Sequence, residues 1–308
     1  MRVPADRRTR RVDYDPKWCL MSEDGFAEFE PLLAATSSSS PWQDGSYHAD
    51  TSLLEDLLGI PISQGADSQS GWLAKALDSW IAHELRRAGF HADEVWPRQE
   101  APRVLPHEVS TFINKLPKAM REEMRKRLLK DKKTAPSSAK ILGRAYVKQV
   151  DVVVAQWARG PEIMISTKTM ASSFGNNMAN RFEESYGDAK NLRGRHPLAA
   201  IGFVFLLNSS IYSQARASYE RAIDMIRKLR AELDVYDATA LVIADWTQGS
   251  AEGIKVRPEL VPDDVSINRF FESIVGAVLT RTPIDMHVAA REKREAREIL
   301  VQEQDPEA

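Results

Sequence analysis

Residues 150–168 read Val-Asp-Val-Val-Val-Ala-Gln-Trp-Ala-Arg-Gly-Pro-Glu-Ile-Met-Ile-Ser-Thr-Lys, and their pattern decides the fold. Two β-branched runs, Tyr146–Trp157 and Glu162–Thr169, flank Ala158-Arg159-Gly160-Pro161, which predicts a hairpin around a Gly-Pro turn. Asp151 is the only acid in the run Val150–Ala155. A carboxylate among valines is costly to bury unless it is paired or holds a metal. On the second run, alternation puts Ser166 and Lys168 on one face, with Ile165 and Thr167 on the other. A short loop then lets Asp151, Ser166 and Lys168 converge at one end of a two-stranded ribbon. A buried Asp151–Lys168 ion pair accounts for the same residues without any chemistry.

Working outward, Leu73, Leu77, Trp80, Ile81 and Leu85 recur at helical spacing within Gly71–Ala88, and Gly89 ends that helix. Phe90–Trp96 reads as a short strand, and Leu116–Lys130 as a very basic helix followed by a Lys-rich loop. Downstream, Asn176–Leu192 is polar and helix-compatible. Leu198–Leu207 is a continuous apolar run of strand length, the pattern of a strand covered on both faces. A helix over Ser213–Leu233, a strand over Ala238–Trp246 and a helix over Asp263–Leu279 follow, with a charged helix after Ala289. This order predicts an α/β fold, a central mixed β-sheet flanked by helices. The expected organisation is an N-terminal arm and helical elaboration over 1–68, partly flexible, and an α/β domain over 69–283. A basic helical insertion lies at about 112–145, and a charged tail covers 284–308.

The 308 residues are 43% hydrophobic and 28% charged with a net charge of −2, which is globular composition and not that of a uniformly basic coat. No apolar run approaches the ~18 residues of a membrane span, and the Arg-rich N-terminus has no apolar stretch behind it, so neither a membrane anchor nor a secretory signal is expected. A lone cysteine, Cys19, sets the expectation of a reducing cytoplasm. The six histidines show no paired metal spacing, so no zinc site is expected. Phosphate-loop, dinucleotide and nucleophile-elbow sequences do not occur, and no nucleotide cofactor is expected. Charge is unevenly spread: twelve Lys/Arg against three acids between Lys115 and Lys148 give +9 over 34 residues. Such a local excess fits a face built for a polyanion, although a solvated helix also explains it.

The strand Asp, the hairpin and the Lys of the next strand resemble the PD-(D/E)XK restriction-endonuclease-like superfamily. Val150-Asp151 stands for its first half-motif and Ser166-Thr167-Lys168 for its second, with Val in place of Pro and Ser in place of the acid. The branch that recognises CCGG-type sites has the same Ser-x-Lys strand and takes its missing carboxylate from the following helix. Here Asn176, Asn177, Asn180 and Arg181-Phe182-Glu183 follow, with Glu183 fifteen positions after Lys168 and Glu184 behind it. The superfamily's opening helix, with a glutamate before Gly-aromatic, is similar to Leu77–Phe90, where Glu84 holds the glutamate position.

The resemblance implies a restriction-endonuclease-like core and Mg2+-dependent hydrolysis of double-stranded DNA, with Mn2+ as a substitute ion. Asp151, Glu183 and Glu84 would be the metal carboxylates. Lys168 would act at the scissile phosphate, and Ser166 would hydrogen-bond a metal-bound water. Lys115, Lys118, Arg121, Arg125, Lys126, Arg127, Lys130, Lys132 and Lys133 would grip phosphates, and Asn176, Asn177, Asn180, Arg181, Lys190 and Arg193 would approach bases. A homodimer is expected, since two centres are needed to cut both strands at a symmetric site. Action on RNA or modified DNA, and an inactive nucleic-acid-binding subunit of a defence complex, are the alternatives.

Overall fold

The computed structural model describes residues 24–36, 39–66, 71–131, 133–247 and 249–302. In chain order its strands are β1 (Trp42–Gln43), β2 (Ser46–Tyr47), β3 (Val95–Trp96), β4 (Ala139–Leu142), β5 (Val147–Val150), β6 (Val152–Gln156), β7 (Gly160–Met170), β8 (Ala200–Asn208), β9 (Ala238–Thr247) and β10 (Ser250–Val256). Its helices are α1 (Glu30–Ala35), α2 (Thr51–Ser63), α3 (Trp72–Ala88), α4 (His107–Lys115), α5 (Lys118–Lys130), α6 (Phe174–Arg193), α7 (Ser210–Gln214), α8 (Arg216–Ala231), α9 (Ile267–Arg281) and α10 (Val288–Gln302).

Six strands form one mixed sheet in the order β10-β9-β8-β7-β6-β3. Strands β7, β8 and β9 run parallel, while β3, β6 and β10 join antiparallel to their neighbours. All nine residues of β8 are buried, as its unbroken apolar run requires of an inner strand. One face packs against α2, α3 and α9 through residues such as Trp80, Ile165, Val204 and Phe271. The other packs against α6 and α8 through Phe182, Phe203, Phe205 and Ile226. The α/β class and the flanking helices therefore follow the sequence reading. The apolar faces of α8 and α9 are spent on the sheet, so neither helix presents them to a second copy.

Two departures have physical causes. The run 146–157 is not one strand: it bends at Asp151, so β5 pairs with β4 while β6 pairs with β7. The hairpin turn is Trp157–Arg159; Gly160, at φ +70°, and Pro161 already belong to β7 at a register shift, where a missing amide is tolerated. The N-terminal elaboration contributes Phe29, Trp42 and Tyr47, all fully buried, to the same core. Tyr47 stacks on Phe271 at 4.8 Å between ring centroids. The arginine-rich arm over 1–20 lies outside the described residues. No described helix is long and apolar enough to cross a membrane.

Gly89 closes α3 with φ +110°, and an added Cβ would meet the Ala290 backbone of α10 at 2.7 Å. Backbone strain and overpacking therefore act at one position, each worth about 1–3 kcal/mol. We expect Gly89→Ala to destabilise the fold by about 2 kcal/mol or more in urea unfolding; a change within about 0.5 kcal/mol would contradict this packing of α10.

Candidate active site

At the β6–β7 end of the sheet, the bend at Asp151 aims its carboxylate across to β7. Asp151 Oδ2 accepts the Thr167 amide at 2.9 Å, taking an edge donor that the ladder ending at Val152–Ile165 no longer reaches. Asp151 Oδ1 takes no protein hydrogen bond among the described residues. Thr167 faces the other side of the sheet, where its hydroxyl donates to Asp78 Oδ1 of α3 at 2.6 Å. One residue thus links two acids from opposite layers. Burial pushes the Asp78 carboxyl well above its usual range, and the nearby Asp151 charge adds to the rise. Asp151 is also raised, again mainly by burial, with Lys168 and Lys148 pulling against it.

On the α6 side, Lys168 Nζ lies 3.4 Å from Glu184 Oε1, and Lys148 Nζ of β5 lies 3.9 Å from the same oxygen. Arg181 Nη1 approaches Glu184 Oε2 at 3.5 Å. Burial pushes Glu184 up, but Lys168, Lys148 and Arg181 outweigh it and hold the carboxyl below its usual range. One turn later Asp188 pairs closely with Lys148 and accepts the Tyr146 hydroxyl at 3.0 Å. Asn191 pins the β4–β5 turn to α6: its Oδ1 accepts the Ala145 amide at 2.8 Å, and its Nδ2 donates to the Tyr146 carbonyl at 3.0 Å. That clamp fixes Lys148 beside Lys168.

The structure therefore brings together Asp151, Ser166 and Lys168, as the alternation of β7 requires; Ser166 is buried next to Thr167. It does not bring Glu183, which is exposed and makes no ion pair among the described residues; its neighbour Glu184 holds Lys168. Helical phase decides this, since one residue is ~100° of rotation. Glu84 is likewise elsewhere. It is fully buried and bonded to Arg87 Nη1 at 2.6 and 2.7 Å, to the Tyr47 hydroxyl at 3.1 Å and to the Asp50 amide at 3.5 Å. Burial raises its carboxyl against the pull of Arg87, and its bonds to Tyr47 and Asp50 tie α3 to the N-terminal segment. Asp78 is the α3 acid that reaches β7. Its sequence signal was an acid beside Leu77 on the apolar face of the helix.

Of the expected phosphate grips, Lys115, Lys118, Arg125, Lys126, Arg127, Lys130 and Lys133 are exposed on or beside α4 and α5, and Arg121 is half-buried. Lys132 lies outside the described residues, as do the side chains of Asn176 and Asn177. Asn180 and Arg181 are exposed on α6. One expected base contact is corrected. Arg193 is buried, donating to Asp237 Oδ2 and the Ala199 carbonyl at 2.6 Å each, and Lys190 Nζ donates to the Leu233 carbonyl at 2.8 Å.

Asp151, Glu184 and Asp188 gather with two lysines on the α6 side of the sheet, with Asp78 behind Thr167 on the α3 side, and hard oxygen donors of this kind suit Mg2+. Asp78, Asp151 and Glu184 are not among the trios of ligating residues that approach within 4.8 Å of one another. Asp151 Oδ1 and one further carboxylate would be enough, because Mg2+ completes its shell with water and phosphate oxygens. No protein-family model matches the chain, and no curated protein or solved structure does so significantly.

Because Asp78 is raised in the folded chain, its stabilising contribution is full below the ordinary carboxylate range and is lost as pH rises through its folded-state value. Asp78→Asn keeps an acceptor for Thr167 and removes the buried charge. We expect the variant to gain stability over the parent as pH rises from 4.5 to 8 in thermal unfolding. A difference independent of pH would mean that Asp78 is not held up by burial and Asp151.

Proposed function

We propose that the chain is a Mg2+-dependent endonuclease that hydrolyses phosphodiester bonds in double-stranded DNA, of restriction or anti-phage type, on a restriction-endonuclease-like core. The observation that supports it best is the junction of Asp151, Lys168 and Glu184. Asp151 is locked by the amide of Thr167 between Ser166 and Lys168, and a helix carboxylate meets the lysine where the strand has Ser166 in place of an acid. The element order supports it as well: α3, the antiparallel β3–β6–β7 meander, α6, then β8 parallel to β7.

Mg2+, held by Asp151 with Glu184, would polarise the scissile phosphate and lower the pKa of a bound water. Lys168, with its ammonium partly exposed, neutralises charge that develops on the phosphate oxygens. Lys148 holds Asp188 and, with Lys168, keeps Glu184 ionised at neutral pH. Ser166 offers a hydroxyl to a water in the same corner. The exposed cations of α4 and α5 supply non-specific grip on the backbone, and Asn180 and Arg181 project from the helix that carries Glu184. Double-strand cutting needs two such centres, and we propose that a homodimer supplies them.

Plasmid, phage DNA and RNA incubated with the protein and Mg2+ test this reading directly. We expect cleavage of duplex DNA, lost on chelation and restored by Mg2+ or Mn2+; an inert protein in all three assays would overturn it. Lys168→Ala is expected to lower the cleavage rate about 100-fold or more while DNA binding stays within a few-fold, because the lysine acts on charge developed in the transition state. Glu184→Gln should lose activity and Glu183→Gln should keep it. Equal, full activity of both would remove α6 from the site. Light scattering of a ~35 kDa monomer under all salt and DNA conditions, with nicked product only, would exclude the dimer.

A further inference from the structure

The loop after α3 and the first residue of α4 bring His91, Asp93 and His107 together, each with a ligating atom within 4.8 Å of the others. The two imidazoles meet edge to face, 4.3 Å between centroids. Asp93 is held from behind: Arg98 Nε and Nη2 donate to Oδ1 at 2.9 and 2.6 Å, and Ser110 Oγ donates to Oδ2 at 2.9 Å. A carboxylate oxygen has two acceptor sites, so Oδ2 keeps one open. His107 Nε2 lies 3.4 Å from Thr111 Oγ1, while its Nδ1 is buried with no hydrogen-bond partner. With the ring proton on Nε2 towards Thr111, Nδ1 is a bare lone pair, which is the state a metal takes. Left empty, such a buried acceptor costs about 1–3 kcal/mol. His91 is exposed and its Nδ1 accepts the Asp93 amide at 3.2 Å, a weak bond that water can replace when the ring ligates.

We propose that His91, Asp93 and His107 bind a divalent transition ion, Zn2+ by the chemistry of its donors, that fastens the basic helical pair α4–α5 to the core. Two imidazoles and one carboxylate suit Zn2+ with water in the fourth position, whereas Mg2+ prefers oxygen alone. Sixteen positions separate His91 from His107, so the ion closes the loop that leads into α4. Little else secures that pair: α5 buries only Leu128, in a small cluster with Leu105, Ile113 and Ala135. A second trio, Glu94, Glu162 and His287, also comes within 4.8 Å, but Arg159 already bridges both of its carboxylates at 2.8 Å. That guanidinium supplies the cation, and the trio serves as a control.

The full chain, stripped by a chelator, would be titrated with Zn2+ against a chromophoric chelator in millimolar Mg2+. We expect one Zn2+ per chain, at least tenfold weaker binding in His91→Gln and in His107→Gln, and unchanged binding in His287→Gln and Asp151→Asn. Zn2+ should also slow proteolysis within residues 107–130 of the parent chain and not of His91→Gln. His91 is exposed, so its variant folds and decides the matter even if His107→Gln does not. Absence of stoichiometric Zn2+, or equal affinity in the parent and His91→Gln, would overturn the site. Loss of Zn2+ binding in Asp151→Asn instead would place the ion at the β6–β7 end, and would also overturn it.

Discussion

Asp151 stands next to the last rung of an apolar hairpin, and a carboxylate there must find a donor or leave the sheet. It finds the Thr167 amide, and the chain bends to reach it. That bend redirects β5 away from the central sheet to pair with β4, and the β4–β5 hairpin then lies against α6, where Asn191 holds its turn. Lys148 comes with it. The hydroxyl of the same threonine donates to Asp78, so one residue with two donors ties the sheet end to the β5–β6 bend and to α3. Burial raises both carboxyls, Asp78 and Asp151, in this position.

The parts legible in the sequence were those whose period is fixed by the sheet. Alternation along β7 separated Ser166 and Lys168 from Ile165 and Thr167 without reference to any other element. The continuous apolar run of β8 likewise admits one environment. Helical acids were harder, because their direction depends on where the helix sits. Glu183 and Glu184 differ by one residue and by ~100°, and packing of the buried α6 face, with Phe182 against Phe203 and Phe205, sets which one meets Lys168. Glu84 misled for a related reason: its buried partner Arg87 and its donor Tyr47 come from a turn of α3 and from a distant β-hairpin. Arg193 read as a solvent-facing cation, yet Asp237, 44 positions away, draws it inside.

The basic segment illustrates the opposite case, in which composition was clear and placement was not. Its cations are exposed because α5 offers the core almost nothing: one buried leucine in thirteen residues. A helix so charged gains little from packing and repels itself along its length, although Arg127 and Glu123 pair at 2.7 Å across one turn. Local opening free energies are lowest where buried apolar contacts are few. The stability of this pair of helices therefore rests on its roots, Leu105 and the residues around His107, and the groups gathered there matter more than those along the exposed face.

Charge balance joins the sheet end to its proposed chemistry. Each lysine at the site is already paired, Lys148 with Asp188 and Lys168 with Glu184, so neither stands as an uncompensated charge beside the raised acids. The Lys168–Glu184 pair is loose, at 3.4 Å, and Glu184 is partly exposed, so its net worth is within about 1 kcal/mol. Lys148–Asp188 is tight and nearly buried, and it anchors the hairpin. A site with one firm pair and one loose pair can free Lys168 and the Glu184 carboxylate together at small cost, the first for an anion and the second for a cation. Breaking a buried pair one partner at a time would cost about 3–5 kcal/mol, so the loose pair is the one that exchanges more cheaply.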